Sequence, residues 1–250
     1  MTRTLTSLQN PIVKHLVRLR KENSYRDEHA TLVVEGLKPI QEISSHIVNL
    51  FYTPAYASLI QDLKGEHWEV TDPILQKISG MTHPEGVVAE VKKPSFLQLS
   101  NENYVLALDG ISDPGNLGTL LRTALALGWD AAFLLPGCCD PFNEKALRAA
   151  RGAQFKLKLS IGTSEELAQW VKEHQVDPLA ADISGKPFDQ IPHQHKRLLI
   201  LGNEAHGIAP EVKKISSPIT IPMAGNMESL NVAIAGGILL YSLKFHGGNL

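Results

Sequence analysis

Short apolar runs alternate with helical patterns from residue 104 to the end of the chain. Residues 104–108 and 131–135 are apolar runs of strand length, and residues 197–201 are apolar after Arg197. Residues 117–127 have the spacing of a helix that Gly128 closes. A parallel pair of strands needs a long crossover connection, which is usually such a helix. The alternation therefore predicts an α/β domain that is built on a parallel sheet.

Local signals predict the other helices and strands. Pro11 suits a first helical turn, Asn143 can cap a helix that ends at Gly152, and Thr163 with Glu166 forms a capping-box pattern. Further strands are predicted at residues 31–34, 155–159 and 219–223, and further helices at residues 11–21, 37–47, 163–174 and 229–245.

A polar stretch at residues 92–103 is the best candidate for a linker between domains. It holds two adjacent lysines and Pro94, and it lacks the periodicity of a helix or strand. We therefore predict a smaller α/β domain at residues 1–95, a linker at residues 96–103 and a larger domain at residues 104–250.

Basic residues are concentrated at the N-terminus, although the whole chain has a formal net charge of -2. The first 26 residues include one acidic residue, Glu22, and the following basic ones: Arg3, Lys14, Arg18, Arg20, Lys21 and Arg26. A basic segment at one end of an otherwise acidic chain is typical of proteins that bind the phosphate backbone of a nucleic acid. A solvated helix face explains the same pattern equally well.

The two cysteines, Cys138 and Cys139, are adjacent, so they have neither the spacing of metal ligands nor that of a usual disulfide. This indicates a reducing compartment and no metal site. The N-terminus lacks an apolar signal core, and the longest apolar stretch, residues 232–241, is too short to span a bilayer. We expect a soluble, cytoplasmic protein with no membrane partner.

Three segments place glycines and polar side chains where predicted strands end, namely residues 108–124, 201–207 and 221–235. In an open α/β sheet, ligands bind outside the carboxyl ends of the strands. Each segment alone could simply shape a turn or cap a helix, but three in one domain indicate a ligand site.

Other nucleotide and hydrolase motifs are not present in the sequence. The glycines at 110, 115 and 118 do not have the G-x-G-x-x-G spacing, and no G-x-x-x-x-G-K-[ST] sequence occurs. No G-x-S-x-G or H-E-x-x-H sequence occurs either. The segments therefore do not encode a dinucleotide site, a P-loop, a hydrolase nucleophile or a zinc-protease site.

Together the three segments resemble the signature motifs of the SpoU/TrmH family of RNA 2′-O-ribose methyltransferases, which belongs to the SPOUT class. The first is similar to N-x-G-x-x-x-R-T-A through Asn116, Gly118, Arg122, Thr123 and Ala124. The second is similar to L-G-x-E-x-x-G through Leu201, Gly202, Glu204 and Gly207. The third, I-P-M-x-G-x-x-x-S-L-N-V, covers residues 221–232, and residues 140–153 are also similar to the family.

This resemblance implies a trefoil knot in the C-terminal domain and an L30e-like RNA-binding domain before it. It also implies a homodimer formed through the C-terminal domain, with S-adenosyl-L-methionine as the cofactor. By position in the motifs, the residues expected to line the cofactor site are Gly202, Ile221, Met223 and Leu230.

The resemblance also suggests roles for the polar residues of the motifs. Arg122 is expected near the target nucleotide; because a guanidinium keeps its proton, we expect it to grip a phosphate and stabilise the emerging alkoxide. Asn116 is expected to orient Arg122, while Glu204, Ser229 and Asn231 shape the pocket.

Candidates for RNA phosphate contact are the basic residues Lys14, Arg18, Lys21, Arg148 and Arg151, the last two being one helical turn apart in the predicted helix. Each of them could equally be a solvated surface charge.

The function implied is S-adenosylmethionine-dependent 2′-O-methylation of structured RNA, with large-subunit rRNA favoured by the L30e-like domain. Two alternatives remain: a tRNA 2′-O-methyltransferase, and a catalytically inactive RNA-binding factor for ribosome assembly. A small-molecule methyltransferase is a poorer interpretation, because it gives the basic N-terminal domain no purpose.

Overall fold

The structure is a computed structural model that describes residues 3–225 and 229–245. Residues 226–228 of the third motif therefore lie outside the described residues. The first compact unit is Met1–Pro94 with Phe142–Phe155, and the second is Ser95–Pro141 with Lys156–Leu250.

Helices and strands are numbered in chain order. The strands are β1 (Arg3–Leu5), β2 (Thr31–Glu35), β3 (Ile47–Tyr52), β4 (Glu66–Val70), β5 (Val87–Lys92), β6 (Tyr104–Asp109), β7 (Ala131–Leu134), β8 (Lys158–Ile161), β9 (Asp177–Pro187), β10 (Arg197–Gly202) and β11 (Ser217–Thr220). The helices are α1 (Pro11–Lys21), α2 (Asn23–His29), α3 (Leu37–Glu42), α4 (Ala57–Ile60), α5 (Asp72–Ser79), α6 (Pro114–Ala126), α7 (Glu144–Ala150), α8 (Ser164–His174), α9 (Pro210–Lys213) and α10 (Val232–Phe245).

The first unit is built on a sheet of strand order β1-β4-β3-β5-β2. Strands β1, β4 and β3 are parallel, whereas β5 is antiparallel to β3 and to β2. Helix α1 begins where predicted, because the Asn10 side chain accepts a hydrogen bond from the backbone N–H of Ile12. Buried Leu16 and Leu19 of α1 pack with Phe51 of the sheet, so this helix covers one sheet face.

Helix α7 and its flanks are part of the first unit. Arg20 of α1 forms an ion pair with Glu144 of α7 at 2.6 Å, and the ring of His46 lies edge-on to that of Phe155. Asn143 caps α7 by accepting from the N–H of Lys145, as the sequence predicts.

The second unit is built on a parallel sheet of strand order β11-β9-β10-β6-β7-β8. Its core side chains include Val105 of β6, Phe133 of β7 and Trp170 of α8, all of them buried. The predicted α/β fold with a parallel sheet is thus confirmed. Helix α8 begins with the predicted capping box of Thr163 and Glu166.

Several predicted boundaries are wrong. The helix predicted at residues 37–47 ends at Glu42, and Ile47 already begins β3. The strand predicted at 155–159 is displaced to Lys158–Ile161, because a short 3₁₀ turn occupies Ala153–Phe155. The last helix begins at Val232 rather than at 229, since the Asn231 side chain accepts from the N–H groups of its first turn.

Strand β9 is absent from the sequence prediction and lies inside the sheet between β11 and β10. Its pairing with β11 jumps from Ala180 to Lys186, so the residues between them bulge outward. A Cβ on Gly185 would lie 2.4 Å from the Ile219 backbone nitrogen, which explains the glycine at this crossing.

Within residues 3–225 and 229–245, no helix is both long and apolar enough to cross a bilayer.

Candidate functional site

The candidate site lies at the carboxyl edge of the second sheet. Because the strands are parallel, β6 and β10 end side by side, with Asp109 opposite Gly202 in the register. Helix α6 follows β6, and its first turn is capped by Asp113, whose carboxylate accepts from the N–H of Asn116 at 2.8 Å. This places the first two motifs at one edge, where ligands bind in such sheets.

A hydrogen-bonded group of three side chains joins the three motifs. Asn116 of α6 donates from Nδ2 to Glu204 Oε1 at 2.5 Å, and its Oδ1 accepts from Asn231 Nδ2 at 3.1 Å. Glu204 follows β10, and Asn231 caps α10. Three of the five predicted catalytic residues are therefore brought together. Both functional groups of the Asn116 amide have these partners, so it is paired with Glu204 and Asn231 rather than with Arg122.

Two residues that the sequence analysis missed fix the loop after β10. Asn203 donates from Nδ2 to the Gly110 carbonyl at 2.7 Å, and its Oδ1 accepts from the N–H groups of Ala205 and His206. Buried Asp109 accepts from the Ala209 N–H at 2.7 Å. The signal for both was a polar side chain directly at a strand end.

The carboxyl end of β10 requires a glycine, and the other residues predicted at the cofactor site are apolar. A Cβ on Gly202 would lie 2.5 Å from the Gly207 carbonyl carbon, so only glycine fits this turn. Met223 and Leu230 are large apolar residues that are 38% and 39% exposed, and Ile221 is half-buried. Three of the four residues predicted to line a cofactor site, Ile221, Met223 and Leu230, thus expose apolar surface, which suits the apolar part of a ligand.

Arg122 and Ser229 have no partner in the hydrogen-bonded group. Arg122 lies on α6, is exposed, and makes no hydrogen bond or ion pair with the described residues. Ser229 is exposed two residues before Asn231. Within the part of the chain that the structure describes, the Arg122 guanidinium is therefore unpaired.

The predicted phosphate contacts on α1 differ in their surroundings. Lys14 and Lys21 are exposed and have no ion pair among the described residues. Arg18 instead pairs with Glu22 at 3.0 Å. Buried Arg26 holds the α1 carbonyls of Leu19 and Arg20, so it has a structural role.

Arg148 and Arg151 lie at the end of α7, where the Arg151 N–H still donates to the Leu147 carbonyl at 3.0 Å. Arg151 leaves the helix at φ 49° and ψ 45° as the C-cap of α7, and Gly152 follows at φ +84°. Arg151 is thus the last residue to make a helical hydrogen bond, three positions after Arg148. Arg148 lies 4.0 Å from the Glu144 carboxylate, whereas Arg151 is exposed.

The two cysteines after β7 are thiols rather than thiolates. Burial raises the pKa of the Cys138 thiol to about 11 and that of Cys139 also to about 11, so both stay protonated near neutral pH. Among the described residues, no group of three or more His, Cys, Asp or Glu side chains could hold a metal ion.

Comparison with known families gives two matches that follow each other along the chain. Residues 10–89 match the MRM3-like substrate binding domain, and residues 103–241 match the SpoU rRNA Methylase family. The second match includes Arg122, Asn116, Glu204 and Asn231.

Two of the similar proteins match nearly the whole chain, and a third matches two thirds of it. The 23S rRNA (guanosine(2553)-2′-O)-methyltransferase RlmP of Bacillus subtilis is 30% identical over 96% of this chain and 98% of its own length. The 23S rRNA (guanosine-2′-O-)-methyltransferase RlmB of Acinetobacter baylyi is 29% identical over 67% of this chain and 73% of its own. The AdoMet-bound rRNA methyltransferase of Sinorhizobium meliloti superposes with a TM-score of 0.88 at 29% identity, covering 99% of both chains.

Proposed function

We propose, from the fact that this chain belongs to the SpoU rRNA methylase family, that it methylates a ribose 2′-hydroxyl in large-subunit ribosomal RNA. It is an S-adenosylmethionine-dependent RNA 2′-O-methyltransferase. The observation that carries the proposal is the Asn116–Glu204–Asn231 group, which unites the three motifs beside Gly202.

Large-subunit rRNA is favoured over tRNA by the named relatives. The proteins from Bacillus subtilis and Acinetobacter baylyi are both named as 23S rRNA guanosine 2′-O-methyltransferases, and the first aligns with the N-terminal unit as well. A guanosine ribose is accordingly the first target to test.

Arg122 acts in this proposal by electrostatic stabilisation. A 2′-hydroxyl is a poor nucleophile until its proton leaves or its developing charge is stabilised. Because the guanidinium keeps its proton, it cannot serve as the base. It can donate two N–H groups to a phosphate beside the target ribose and stabilise the negative charge that develops on the oxygen.

The hydrogen-bonded group acts by positioning. Bound S-adenosylmethionine supplies a methyl group on a sulfonium, which the ribose oxygen accepts in line while its own proton passes to water. Asn116, Glu204 and Asn231 hold the first turn of α6, the loop after β10 and the start of α10 at fixed distances. Gly202, Ile221, Met223 and Leu230 would hold the cofactor, and Ser229 would contact substrate beside them.

A homodimer through the last helix is part of the proposal. Helix α10 is apolar around most of its circumference, yet Ile234, Ile238 and Tyr241 are 58%, 37% and 52% exposed. Their spacing places them in one stripe, and an apolar stripe of this kind is typical of a subunit interface. A second copy of the chain would cover it by two-fold symmetry.

A cytoplasmic location completes the proposal. Both cysteines are free, and a ribosomal RNA substrate is found in the same compartment.

The test is transfer of labelled methyl from S-adenosylmethionine to total RNA and ribosomal particles from a strain that lacks the protein. We expect 2′-O-methylation of one large-subunit RNA nucleotide. Arg122→Ala and Arg122→Lys should both lose most activity, because an ammonium cannot replace the planar fork. Near-normal turnover of Arg122→Lys would contradict the proposed role of this residue.

The second candidate, an inactive assembly factor, predicts cofactor-independent binding to ribosomal particles and no transfer to any RNA. The retained Arg122, Asn116, Glu204 and Asn231 argue against it, because binding alone does not need that set.

A further inference from the structure

Aromatic rings and a guanidinium gather on the first unit, where α1 meets α2. The rings of His15, Tyr25 and His29 form a triangle, with centroid distances of 5.5 Å for His15–Tyr25, 5.0 Å for His15–His29 and 4.1 Å for Tyr25–His29. The Arg18 guanidinium carbon lies 3.8 Å from the centre of the Tyr25 ring. We call these four residues the ring cluster.

A buried carboxylate supports the ring cluster from below. Glu90 of β5 is only 6% exposed, and it accepts from Thr31 Oγ1 at 2.9 Å and from Asn49 Nδ2 at 2.7 Å. His15 Nε2 lies 3.1 Å from the same carboxylate. A buried charge with this many partners is well satisfied, so it can fix the rings above it.

The hydrogen bonds orient two of the rings. A carboxylate only accepts, so His15 Nε2 carries a proton toward Glu90. In the neutral ring, Nδ1 then accepts from the Tyr25 hydroxyl, which lies 2.9 Å away. The rings of His15 and Tyr25 are therefore held by the sheet, in the way that preorganised binding sites are held.

A second ring with an arginine continues the surface across the sheet. Trp68 of β4 donates from Nε1 to Asn49 Oδ1 at 3.4 Å, which connects it to the Glu90 group. Arg3 lies opposite Trp68 in the β1–β4 register, with its guanidinium carbon 4.9 Å from the centre of the indole ring. The same network thus joins both ring surfaces.

The outer parts of this surface are open to solvent. His29 is exposed, and the side chains of Arg18 and Arg3 are 52% and 55% exposed. Lys14 and Lys21 are exposed beside them on α1, without an ion pair among the described residues. Rings and guanidinium planes are what unpaired RNA bases stack on, and free lysines suit the adjacent phosphates.

We propose that the ring cluster and Trp68 bind unpaired bases of the RNA substrate by stacking. This inference rests on the proposed function for its ligand class, and it adds the surface and the mode of recognition. Because each base has a stacking face, the surface selects unpaired RNA over duplex rather than one base sequence. The guanidinium groups of Arg18 and Arg3, which pair at their edges with Glu22 and Glu66, would extend the stacking surface toward solvent.

The test compares two fluorescein-labelled RNAs, a hairpin with an unpaired loop and a blunt duplex of similar length, in binding without cofactor. The variants are His29→Ala, which removes an exposed ring that makes ring contacts, and the double variant His29→Ala with Arg18→Gln. The matched control is His83→Ala, because His83 is an exposed histidine of the same unit with no hydrogen bond, ion pair or ring contact among the described residues.

We expect the double variant to bind the hairpin roughly tenfold or more weakly, with little change for the duplex and none for the control. With ribosomal RNA as substrate, its KM should rise while kcat at saturating RNA stays near the parent value. Equal thermal unfolding midpoints of parent and variants show that the fold is kept.

Unchanged hairpin affinity of the double variant would overturn the inference, as would equal losses for hairpin and duplex, which indicate a charge effect alone. These outcomes are separate from the proposed function. Methyl transfer by the parent protein tests that function, and it can succeed while the ring cluster proves irrelevant.

Discussion

The side-chain amide of Asn116 has a donor and an acceptor, and each is used for a different segment. Its Nδ2 donates to Glu204, which is 88 residues away in sequence, and its Oδ1 accepts from Asn231, which is 115 residues away. Because the two ends of an amide are not interchangeable, this group depends on the identity of each residue and not only on polarity.

A donor–acceptor exchange between Asn116 and Glu204 tests this dependence. Asn116→Asp alone places two carboxylates in contact and removes the donor, so we expect a loss of activity of about tenfold or more. Glu204→Gln alone should cost less, because the new amide can still accept from Asn116.

The double variant, Asn116→Asp with Glu204→Gln, restores one donor and one acceptor with their order reversed. Its methyl-transfer rate at saturating substrates should exceed that of Asn116→Asp. If the two losses simply add, the pair does not act as a hydrogen-bonded unit.

Glu35, at the end of β2, should make the stability of the first unit depend on pH. Burial raises the pKa of Glu35 above its ordinary range, against the hydrogen bond from the Glu85 backbone N–H and the attraction of Arg148. The native state therefore binds this proton more tightly than the unfolded chain does. The free energy of unfolding therefore falls as pH rises from the pKa of Glu35 in the unfolded chain to its higher pKa in the native state.

Glu35→Gln should accordingly increase the free energy of unfolding near pH 7, with the gain disappearing at about pH 4. Denaturant unfolding at both pH values measures this. Asp182→Asn is the opposite control, because Lys213 and Ser184 lower the pKa of Asp182 to about 2. The ionised Asp182 stabilises the protein above the pKa that this group has in the unfolded chain, and the effect is lost as pH falls toward about 2. Asp182→Asn should therefore be less stable near pH 7, by less than about 1 kcal/mol.

At the scale of the element, the sequence predicts those helices and strands whose signals are local. Helix α1 follows Asn10-Pro11 and helix α8 follows the Thr163 capping box, so both begin where predicted. Strand β9 has prolines at 178 and 187, which argue against an inner strand, and only pairing with β10 and β11 makes it one. Neighbouring strands, and not its own residues, determine that element.

The packing of α10 on α6 and β10 depends on one of two adjacent glycines. A Cβ on Gly236 would lie 2.3 Å from Leu120 Cδ2 and 2.7 Å from Leu201 Cδ1, both in fully buried side chains. A Cβ on Gly237 would meet only Thr123 Cγ2, at 4.0 Å. No periodicity in the sequence distinguishes the two positions.

Alanine at these two positions should have opposite effects on stability. Gly237→Ala should raise the free energy of unfolding by up to about 1 kcal/mol, because alanine is the better helix former. Gly236→Ala should lower it by about 1 kcal/mol or more, since overpacking outweighs that gain. Denaturant unfolding of both variants decides this, and a destabilised Gly237→Ala would show that the helix packs differently.

At the scale of the whole molecule, the motif residues could be named from the sequence, but their grouping could not. Asn116, Glu204 and Asn231 meet only after β6 and β10 pair and α10 returns to α6, which no local signal encodes. The exposed stripe on α10 likewise emerges only once the buried side of the helix is known. Ile234, Ile238 and Tyr241 are apolar like their buried neighbours, so hydropathy alone does not separate the two sides.

The stripe leads to a prediction about assembly. Ile234→Glu puts a charge into the proposed two-fold interface, where the uncompensated charge would be buried against the apolar stripe of the second copy. We expect the variant to elute as a monomer in size-exclusion chromatography with light scattering, while the parent is a dimer. Leu59→Glu is the matched control, because Leu59 of α4 is 52% exposed and lies outside the stripe.

The methyl-transfer activity of Ile234→Glu then shows whether the proposed interface is needed for catalysis or only joins two copies of the chain. Asn231, which caps α10 and donates to Asn116, lies within one helical turn of Ile234, the first residue of the stripe. Loss of the second copy should therefore loosen the start of α10 and weaken its hydrogen bond to Asn116. We therefore expect the monomeric variant to lose methyl transfer as well, with the control unaffected. A fully active monomer would mean that each copy holds a complete site, and a parent protein that is itself monomeric would leave the stripe to another partner.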